Sequence, residues 1–270
     1  FGTLAPHRAG LPGVRTTFPP LALYDWSTIT AALAGQAPWW SPDSAHGYQV
    51  NTYGFLLGEL VRRVTGRSLG AFFREHVAGP LDAPFYFGFG PELDARVAEC
   101  LLWDGPFPFT DETAERREWL PFVYANPPGV SGNGTVNTRE WRAAETPSTN
   151  GHANARAVAR IYAALLGGNE SGDPPLLNES VLSQLTTCAS EGLDWVLDRP
   201  SRFGLGFQLT APERPIGPHP RTFGHFGAGG LLGFADPDAK LAFGYCKNLP
   251  GTRWQNPRTL ALLEATYASL

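Results

Sequence analysis

Hydrophobic side chains recur every three or four residues along one stretch near the start of the chain. They are Tyr53, Leu56, Leu57, Leu60, Val61 and Val64, and their spacing predicts a helix with one apolar face. Thr65-Gly66 ends the run, and Glu59 is placed to pair with arginines on the solvent side. Tyr48 precedes this helix in a polar, glycine-containing segment. Its phenol is therefore either an aromatic cap on the core or a positioned acid/base.

Other segments have helical periodicity together with signals for a helix start or stop. These are 25–34 with Asp25 as N-cap, 68–78 before Gly79-Pro80, 154–166, 178–191, and a C-terminal helix marked by Leu260, Leu263 and Tyr267. Residues 1–20 are rich in glycine and proline, which predicts a loop that crosses the surface.

The pattern changes in the last third of the chain. Residues 203–209 alternate between apolar and other side chains, which predicts a half-buried strand. Strands are also predicted at 221–225, 231–235 and 240–247, with a hairpin turn at 236–238. The chain therefore predicts an α+β fold: a mainly helical part at 1–200 with an irregular insertion at 83–148, then antiparallel strands and a closing helix at 201–270.

Composition narrows the classes of function. The 270 residues are 43% hydrophobic and 17% charged, the net charge is −4, and no basic run exceeds two residues. This argues against nucleic-acid binding, and no apolar run approaches the ~20 residues of a membrane span. The three cysteines form no CxxC pair, which favours buried free thiols, a reducing compartment and hence a cytoplasmic location, with a periplasmic or secreted location as the alternative.

Candidate chemistry is sparse. The six histidines form no HxH or HxxxH pair, so we expect no metal, and a GxSxG elbow is absent. The segment FGHFGAGG at 223–230 follows a predicted strand, and its glycines would let a ligand or another backbone come close. The alternative is a glycine-rich bend that packs against a helix and leaves His225 at the surface.

Several blocks occur in the order typical of one family. They are HRAGLP at 7–12, HGYQVNTYGFLLGELVRRVTGRS at 46–68, the segment 136–165, FGLGF at 203–207 and GHFGAGG at 224–230. Together they resemble the serine β-lactamase-related esterases, namely the family VIII carboxylesterases, which are relatives of class C β-lactamases and D,D-peptidases. The resemblance implies an antiparallel sheet with flanking helices beside an all-helical subdomain, with the active site between them.

The resemblance also implies roles for six residues. Tyr48 matches the catalytic tyrosine and Val50 the position where β-lactamases commonly hold an asparagine; His225, Phe226 and Gly227 match a KTG-like triplet, and Ala228 supplies an oxyanion-hole N–H. No cofactor is implied. Since Val50 offers no amide and His225 replaces a permanent cation, the site points toward small neutral esters rather than β-lactams or peptidoglycan.

The family nucleophile lies in a Ser-x-x-Lys motif, and these 270 residues contain none. We expect that segment, with the leading strands of the sheet, to precede Phe1. The expected activity is ester hydrolysis through an acyl-enzyme. The alternatives are β-lactamase or D,D-peptidase activity, acyl transfer, or a non-catalytic binding protein.

Aromatic residues are frequent in the 83–148 insertion. They either form an apolar pocket for the acyl or alcohol group or build a second core. The residues are Phe85, Tyr86, Phe87, Trp103, Phe107, Phe109, Trp119, Phe122 and Tyr124.

Overall fold

A computed structural model describes residues 1–101, 119–132, 134–168, 175–251 and 254–270. Its α-helices are α1 Trp26–Gly35, α2 Thr52–Thr65, α3 Leu69–Phe73, α4 Leu120–Tyr124, α5 Arg139–Ala143, α6 Ala155–Leu165, α7 Glu179–Thr186 and α8 Pro257–Ala268. Its strands are β1 Phe85–Phe87, β2 Gly151–Ala153, β3 Ser190–Asp194, β4 Arg199–Phe203, β5 Gln208–Leu209, β6 Phe223–Phe226, β7 Leu232–Asp236 and β8 Leu241–Tyr245. Two 3₁₀ turns (Pro20–Tyr24 and Pro91–Arg96) and one π turn (Arg74–Ala78) complete the set.

Strands β3 to β8 form one antiparallel sheet in sequence order, and β1 pairs with β2 apart from it. Within the sheet, His225 of β6 lies opposite Gly233 of β7. The antiparallel sheet with flanking helices is confirmed. Strand β4 crosses the predicted boundary at residue 200, and the division of the chain into two parts stays a prediction.

Helices α8 and α6 cover the two faces of the sheet. Phe226 and Phe234 cluster with Leu263 of α8, whereas Phe223 clusters with Tyr162 of α6. Because side chains alternate along a strand, His225 lies on the same face of the sheet as Phe223, which is the face that α6 covers. Glycine permits the close approach of α6, since a Cβ at Gly233 would lie 2.6 Å from the Tyr162 ring.

The predicted helix α2 is present, but its predicted apolar face is only partly buried. Leu60 is 42% exposed and Val64 is 76% exposed. The buried face instead carries Phe55, which is 2% exposed, together with small residues: a Cβ at Gly58 would lie 2.5 Å from the Trp26 ring, and one at Gly54 would lie 2.5 Å from a backbone nitrogen. The helix therefore packs through its glycines, which bring its backbone close to its neighbours.

Glu59 of α2 is mostly buried rather than on the solvent side. It accepts from the Trp26 indole N–H at 2.9 Å and pairs with Arg62 and Arg63, as the spacing predicted. These partners keep the Glu59 carboxyl ionised: their hydrogen bonds lower its pKa well below the usual range, with Arg62 contributing most.

Other helix predictions hold in part. Asp25 caps α1 through the Thr28 N–H, and α6 and α8 occupy the predicted segments. The predicted helix at 178–191 ends at Thr186, and its last residues belong to β3 instead. The predicted strand at 203–209 is interrupted: Gly206 has a φ of +107°, and a bend separates β4 from β5.

Residues 1–20 form turns without strands or α-helices, but they do not simply cross the surface. Ala5, His7 and Val14 are buried, and Val14 belongs to the largest apolar cluster of the helical part. The Gly- and Pro-rich composition predicted the irregular backbone correctly and its exposure incorrectly.

The aromatic residues of the 83–148 insertion divide between the two expected roles. Phe85 and Phe87 pack against Phe73, and Trp119 joins an apolar cluster, so these build a second core. Tyr124 lines the cavity described below. Trp103, Phe107 and Phe109 lie outside the described residues.

The described segments also bear on membranes, metals and thiols. None of their helices is long and apolar enough to cross a membrane, and no three of their His, Cys, Asp or Glu side chains are grouped to hold a metal ion. Cys100, Cys188 and Cys246 are free thiols and only half-buried, whereas the sequence predicted buried ones. The cytoplasmic location stays a prediction.

Candidate active site

A cavity of about 290 Å³ lies where the sheet meets the loop before α2. All six residues selected from the sequence line it: Tyr48, Val50, His225, Phe226, Gly227 and Ala228. The blocks around residues 48 and 225, far apart in the chain, thus meet in one place. The roles assigned to these six residues stay predictions.

Tyr48 and His225 are in direct contact. The Tyr48 hydroxyl oxygen lies 3.2 Å from His225 Nε2, and the two rings stack with centroids 5.6 Å apart. Phe203 lies parallel to the Tyr48 ring at 5.9 Å, while His7 and Trp254 present their edges at 4.9 Å and 5.4 Å. An aromatic cage therefore holds the phenol against the imidazole.

The backbone around Tyr48 is held by two distant residues. The Tyr48 N–H donates to the Asp194 carboxylate at 3.0 Å, and the Gln49 N–H donates to His7 Nδ1 at 3.2 Å. The Gly47 N–H donates to the His7 carbonyl at 3.0 Å. Three consecutive N–H groups are thus bonded to residues outside their own loop.

The groups of the cavity are uncharged near neutral pH. Burial raises the pKa of Tyr48 well above its usual range and lowers the pKa of His225 to about 4. Burial, assisted by the nearby His225, lowers the pKa of His7 to about 3. The described residues that line the cavity include no Asp, Glu, Lys or Arg. The pair can therefore pass a proton between neutral groups but offers a substrate no fixed charge.

The glycine-rich segment after His225 folds back on the start of α8. Asn256 Nδ2 donates to the Gly229 carbonyl at 3.0 Å, and the Thr259 hydroxyl donates to the Gly230 carbonyl at 2.7 Å. Ala228, at the tip, is exposed to the cavity, and its N–H finds no acceptor among the described residues. The segment therefore packs against a helix, as the second of the two alternatives predicted. His225, however, faces the cavity rather than the surface, as that alternative did not predict.

A serine, a histidine and an aspartate also meet beneath Tyr48. The Ser201 hydroxyl donates to Asp194 at 2.9 Å and lies 3.0 Å from His46 Nε2. In a nucleophilic triad the histidine lies between the serine and the carboxylate. Here the serine lies between the other two, so its proton is already bound to Asp194 and the cluster is a support rather than a nucleophile.

Sequence reasoning did not assign roles to several residues of the site. His7 lies in the block HRAGLP and Phe203 in the block FGLGF. Their place in these family motifs was the signal by which the sequence could have identified them. Asp194, Gln208 and Trp254 stand in no such block, and Gln208 and Trp254 line the cavity. Asp194 reaches Tyr48 from 146 positions away, so no local pattern marks it.

Comparisons with known proteins identify the family of the chain. The β-lactamase family model matches residues 2–266. An esterase/β-lactamase, LipL of Mycobacterium tuberculosis (strain ATCC 25618 / H37Rv), is 31% identical over 248 residues, which are 90% of this chain. The chain spans 57% of the length of LipL.

Two solved structures are similar throughout the chain. A family VIII carboxylesterase is 37% identical with a TM-score of 0.88, covering 99% of this chain and 70% of its own. A penicillin-binding protein homologue from Caulobacter crescentus is 34% identical with a TM-score of 0.89, covering 100% of this chain and 71% of its own. The fold is therefore β-lactamase/transpeptidase-like, and the chain belongs to the β-lactamase family.

Proposed function

We propose that this chain is part of a serine hydrolase that cleaves small uncharged carboxylic esters through an acyl-enzyme. The observation that carries the proposal is the contact between Tyr48 and His225 inside an aromatic cavity without fixed charge, beside the Ala228 N–H. Membership of the β-lactamase family and the esterase relatives support it.

The proton path follows from the neutral state of the pair. As a serine oxygen attacks the ester carbonyl, its proton passes to the Tyr48 oxygen, and the phenol proton passes to His225 Nε2. When the tetrahedral intermediate collapses, the bond to the alcohol oxygen breaks, Tyr48 gives a proton to the departing alkoxide, and His225 Nε2 returns its proton to the Tyr48 oxygen. Water then hydrolyses the acyl-serine by the same route in reverse.

The developing oxyanion needs a donor at the place where charge appears. The exposed N–H of Ala228 is the candidate, because the loop around it is fixed by Asn256 and Thr259. One such donor is worth about 2.7–4 kcal/mol to the transition state.

The nucleophile is proposed to come from a Ser-x-x-Lys segment that these 270 residues do not include. Two described serines line the cavity, but Ser131 donates to the Tyr124 carbonyl and Ser148 accepts from the Gly54 N–H. Neither hydrogen-bonds to Tyr48 or His225. A lysine cation brought in with the serine would also favour ionisation of Tyr48.

The substrate class follows from the cavity lining. Val50 and Tyr124 belong to one apolar cluster, and His225 is neutral, so no described lining residue offers a charge to a carboxylate. A β-lactam or a D-alanyl peptide carries such a carboxylate and would be desolvated here without a partner. An uncharged ester avoids that cost.

The test uses the full-length protein with p-nitrophenyl acetate and butyrate, followed by labelling with a fluorophosphonate and peptide mapping of the labelled serine. We expect ester turnover, a label within a Ser-x-x-Lys segment, and slow or no turnover of nitrocefin. Absence of ester turnover, or a label on Ser131 or Ser148, contradicts the proposal.

A further inference from the structure

Two residues with no role in the chemistry above hold the backbone on both sides of Tyr48. His7 accepts from Gly47 N–H through its carbonyl (3.0 Å) and from Gln49 N–H through its ring nitrogen Nδ1 (3.2 Å). Asp194 accepts from the N–H of Tyr48 itself. These distances are those of ordinary hydrogen bonds, which are directional and therefore fix the backbone of the loop before α2 as ring packing alone does not.

His7 makes these two contacts in a strained backbone conformation. Its φ is +62°, a left-handed conformation that non-glycine residues seldom adopt, and its side chain is buried between Tyr53 and Phe203. Strained backbone of this kind persists where surrounding contacts over-determine it. Here the conformation places both acceptors of one residue against the loop of Tyr48.

Asp194 is fully buried and accepts from four donors. They are the N–H groups of Tyr48, Val196 and Leu197 and the hydroxyl of Ser201, which in turn contacts His46. A carboxylate satisfies such a set because both of its oxygens only accept. An asparagine in its place would turn an NH₂ group toward one or more of these donors.

We propose that His7 and Asp194 are positioning residues that set the distance between the Tyr48 oxygen and its reaction partners. This inference rests on the proposed function, in which Tyr48 must reach both His225 and the attacking serine. Misplacement of a catalytic group by about 1 Å can reduce the rate about 100-fold. His7 precedes and Asp194 follows Tyr48 in the chain, and both hold its backbone, whereas the other members of the aromatic cage hold only the ring.

The first comparison is Asp194→Asn against Asp236→Asn in the full-length enzyme. Asp236 is a matched control, since it is also fully buried and accepts two backbone N–H groups and the Tyr267 hydroxyl, at the far end of β7 from the residue opposite His225. We expect both variants to melt at lower temperature. Only Asp194→Asn should lower kcat, by about 10- to 100-fold, with KM changed little.

The second comparison separates positioning from packing at His7. His7→Phe keeps a ring in contact with Tyr48, Tyr53 and Phe203 but removes the acceptor Nδ1. His7→Asn loses the ring, yet it keeps an acceptor oxygen and tolerates the positive φ. We expect His7→Asn to retain more kcat per folded enzyme than His7→Phe. A residue that only packs would give the opposite order.

A third readout does not depend on turnover. In protein labelled at the tyrosine Cζ with ¹³C, the Tyr48 signal, assigned by its loss in Tyr48→Phe, should shift in Asp194→Asn and His7→Phe and stay in place in Asp236→Asn. If ester turnover is absent but these shifts occur, the proposed function fails and the positioning stands. An unmoved Tyr48 signal in Asp194→Asn, or equal kcat in the Asp194 and Asp236 variants, overturns the inference.

Discussion

The Tyr48 hydroxyl oxygen and His225 Nε2 lie 3.2 Å apart although 177 positions separate them in the chain. Burial keeps the phenol protonated and the imidazole unprotonated, so the pair meets as a donor and an acceptor of one proton. A serine proton can then be taken up by Tyr48 only if His225 receives another. The two residues should therefore behave as a unit when either is removed.

That coupling predicts the result of a double-mutant cycle. Tyr48→Phe should lower kcat/KM for p-nitrophenyl butyrate by about 10²- to 10⁴-fold, the usual contribution of acid–base catalysis. His225→Phe should cost nearly as much, and the double variant little more than either single one, because residues that act as a unit are not additive. Tyr162→Phe, at a half-buried tyrosine on α6, is the control and should keep full activity. Additive losses at Tyr48 and His225 would show that they act independently.

The low pKa of His7, about 3, predicts a pH dependence of stability. The folded protein holds this ring neutral while an unfolded chain protonates it near pH 6.5, so stability from this group is lost as the pH falls below 6.5. The loss approaches about 1.4 kcal/mol per pH unit. The His7→Phe variant has no such titrating ring. The difference in free energy of unfolding between the wild type and this variant should therefore shrink between pH 6.5 and 4.5 in urea titrations.

The order of the motifs was enough to select six residues that all line one cavity, because Tyr48 and His225 each lie in a block with a recognisable spacing. Asp194 could not be found in this way. Its strand reads SEGLD, with a single large apolar residue, and its function depends on a contact across 146 positions. A buried carboxylate that serves a distant backbone leaves no trace in local periodicity.

The error at α2 has a different physical origin. Periodicity selects large apolar side chains, and Leu60 and Val64 satisfied it while pointing to solvent. The helix packs instead through Phe55 and through Gly54 and Gly58, whose missing side chains let neighbouring groups approach. A search for hydrophobic periodicity counts large apolar side chains, so it does not detect a helix face that is buried through glycines.

The packing of α2 makes a direct prediction. In Gly58→Ala the new methyl would lie 2.5 Å from the Trp26 ring, which is held in place by its hydrogen bond to Glu59. Overpacking of this kind costs about 1–3 kcal/mol, more than the gain of up to about 1 kcal/mol from replacing a helical glycine. Gly35→Ala, at the end of α1 with nothing within 4 Å, is the matched control and should be neutral or stabilising. Urea midpoints that fall in neither variant would contradict this packing.

Asp236 provides the last prediction, because it anchors α8 to the sheet. The Tyr267 hydroxyl donates to Asp236 at 2.6 Å and His219 contacts it at 2.8 Å. Burial raises the pKa of this carboxyl, but the hydrogen bonds outweigh burial and hold it below its usual value. Stability from the ionised group is therefore present at neutral pH and lost as the pH falls through the acid range.

Removing the Tyr267 hydroxyl should show both the loss of this hydrogen bond and its dependence on pH. Tyr267→Phe leaves the buried carboxylate with one donor fewer and should cost about 1–3 kcal/mol at pH 7. The difference from the wild type should be smaller at pH 3, because loss of this donor raises the pKa of Asp236 in the variant, which therefore binds a proton at higher pH than the wild type does. Tyr86→Phe, at a half-buried tyrosine whose ring contacts Phe89, should change the free energy of unfolding by less than about 0.5 kcal/mol at either pH. A Tyr267→Phe penalty that is the same at both pH values would mean that the hydroxyl does not stabilise the ionised form of Asp236.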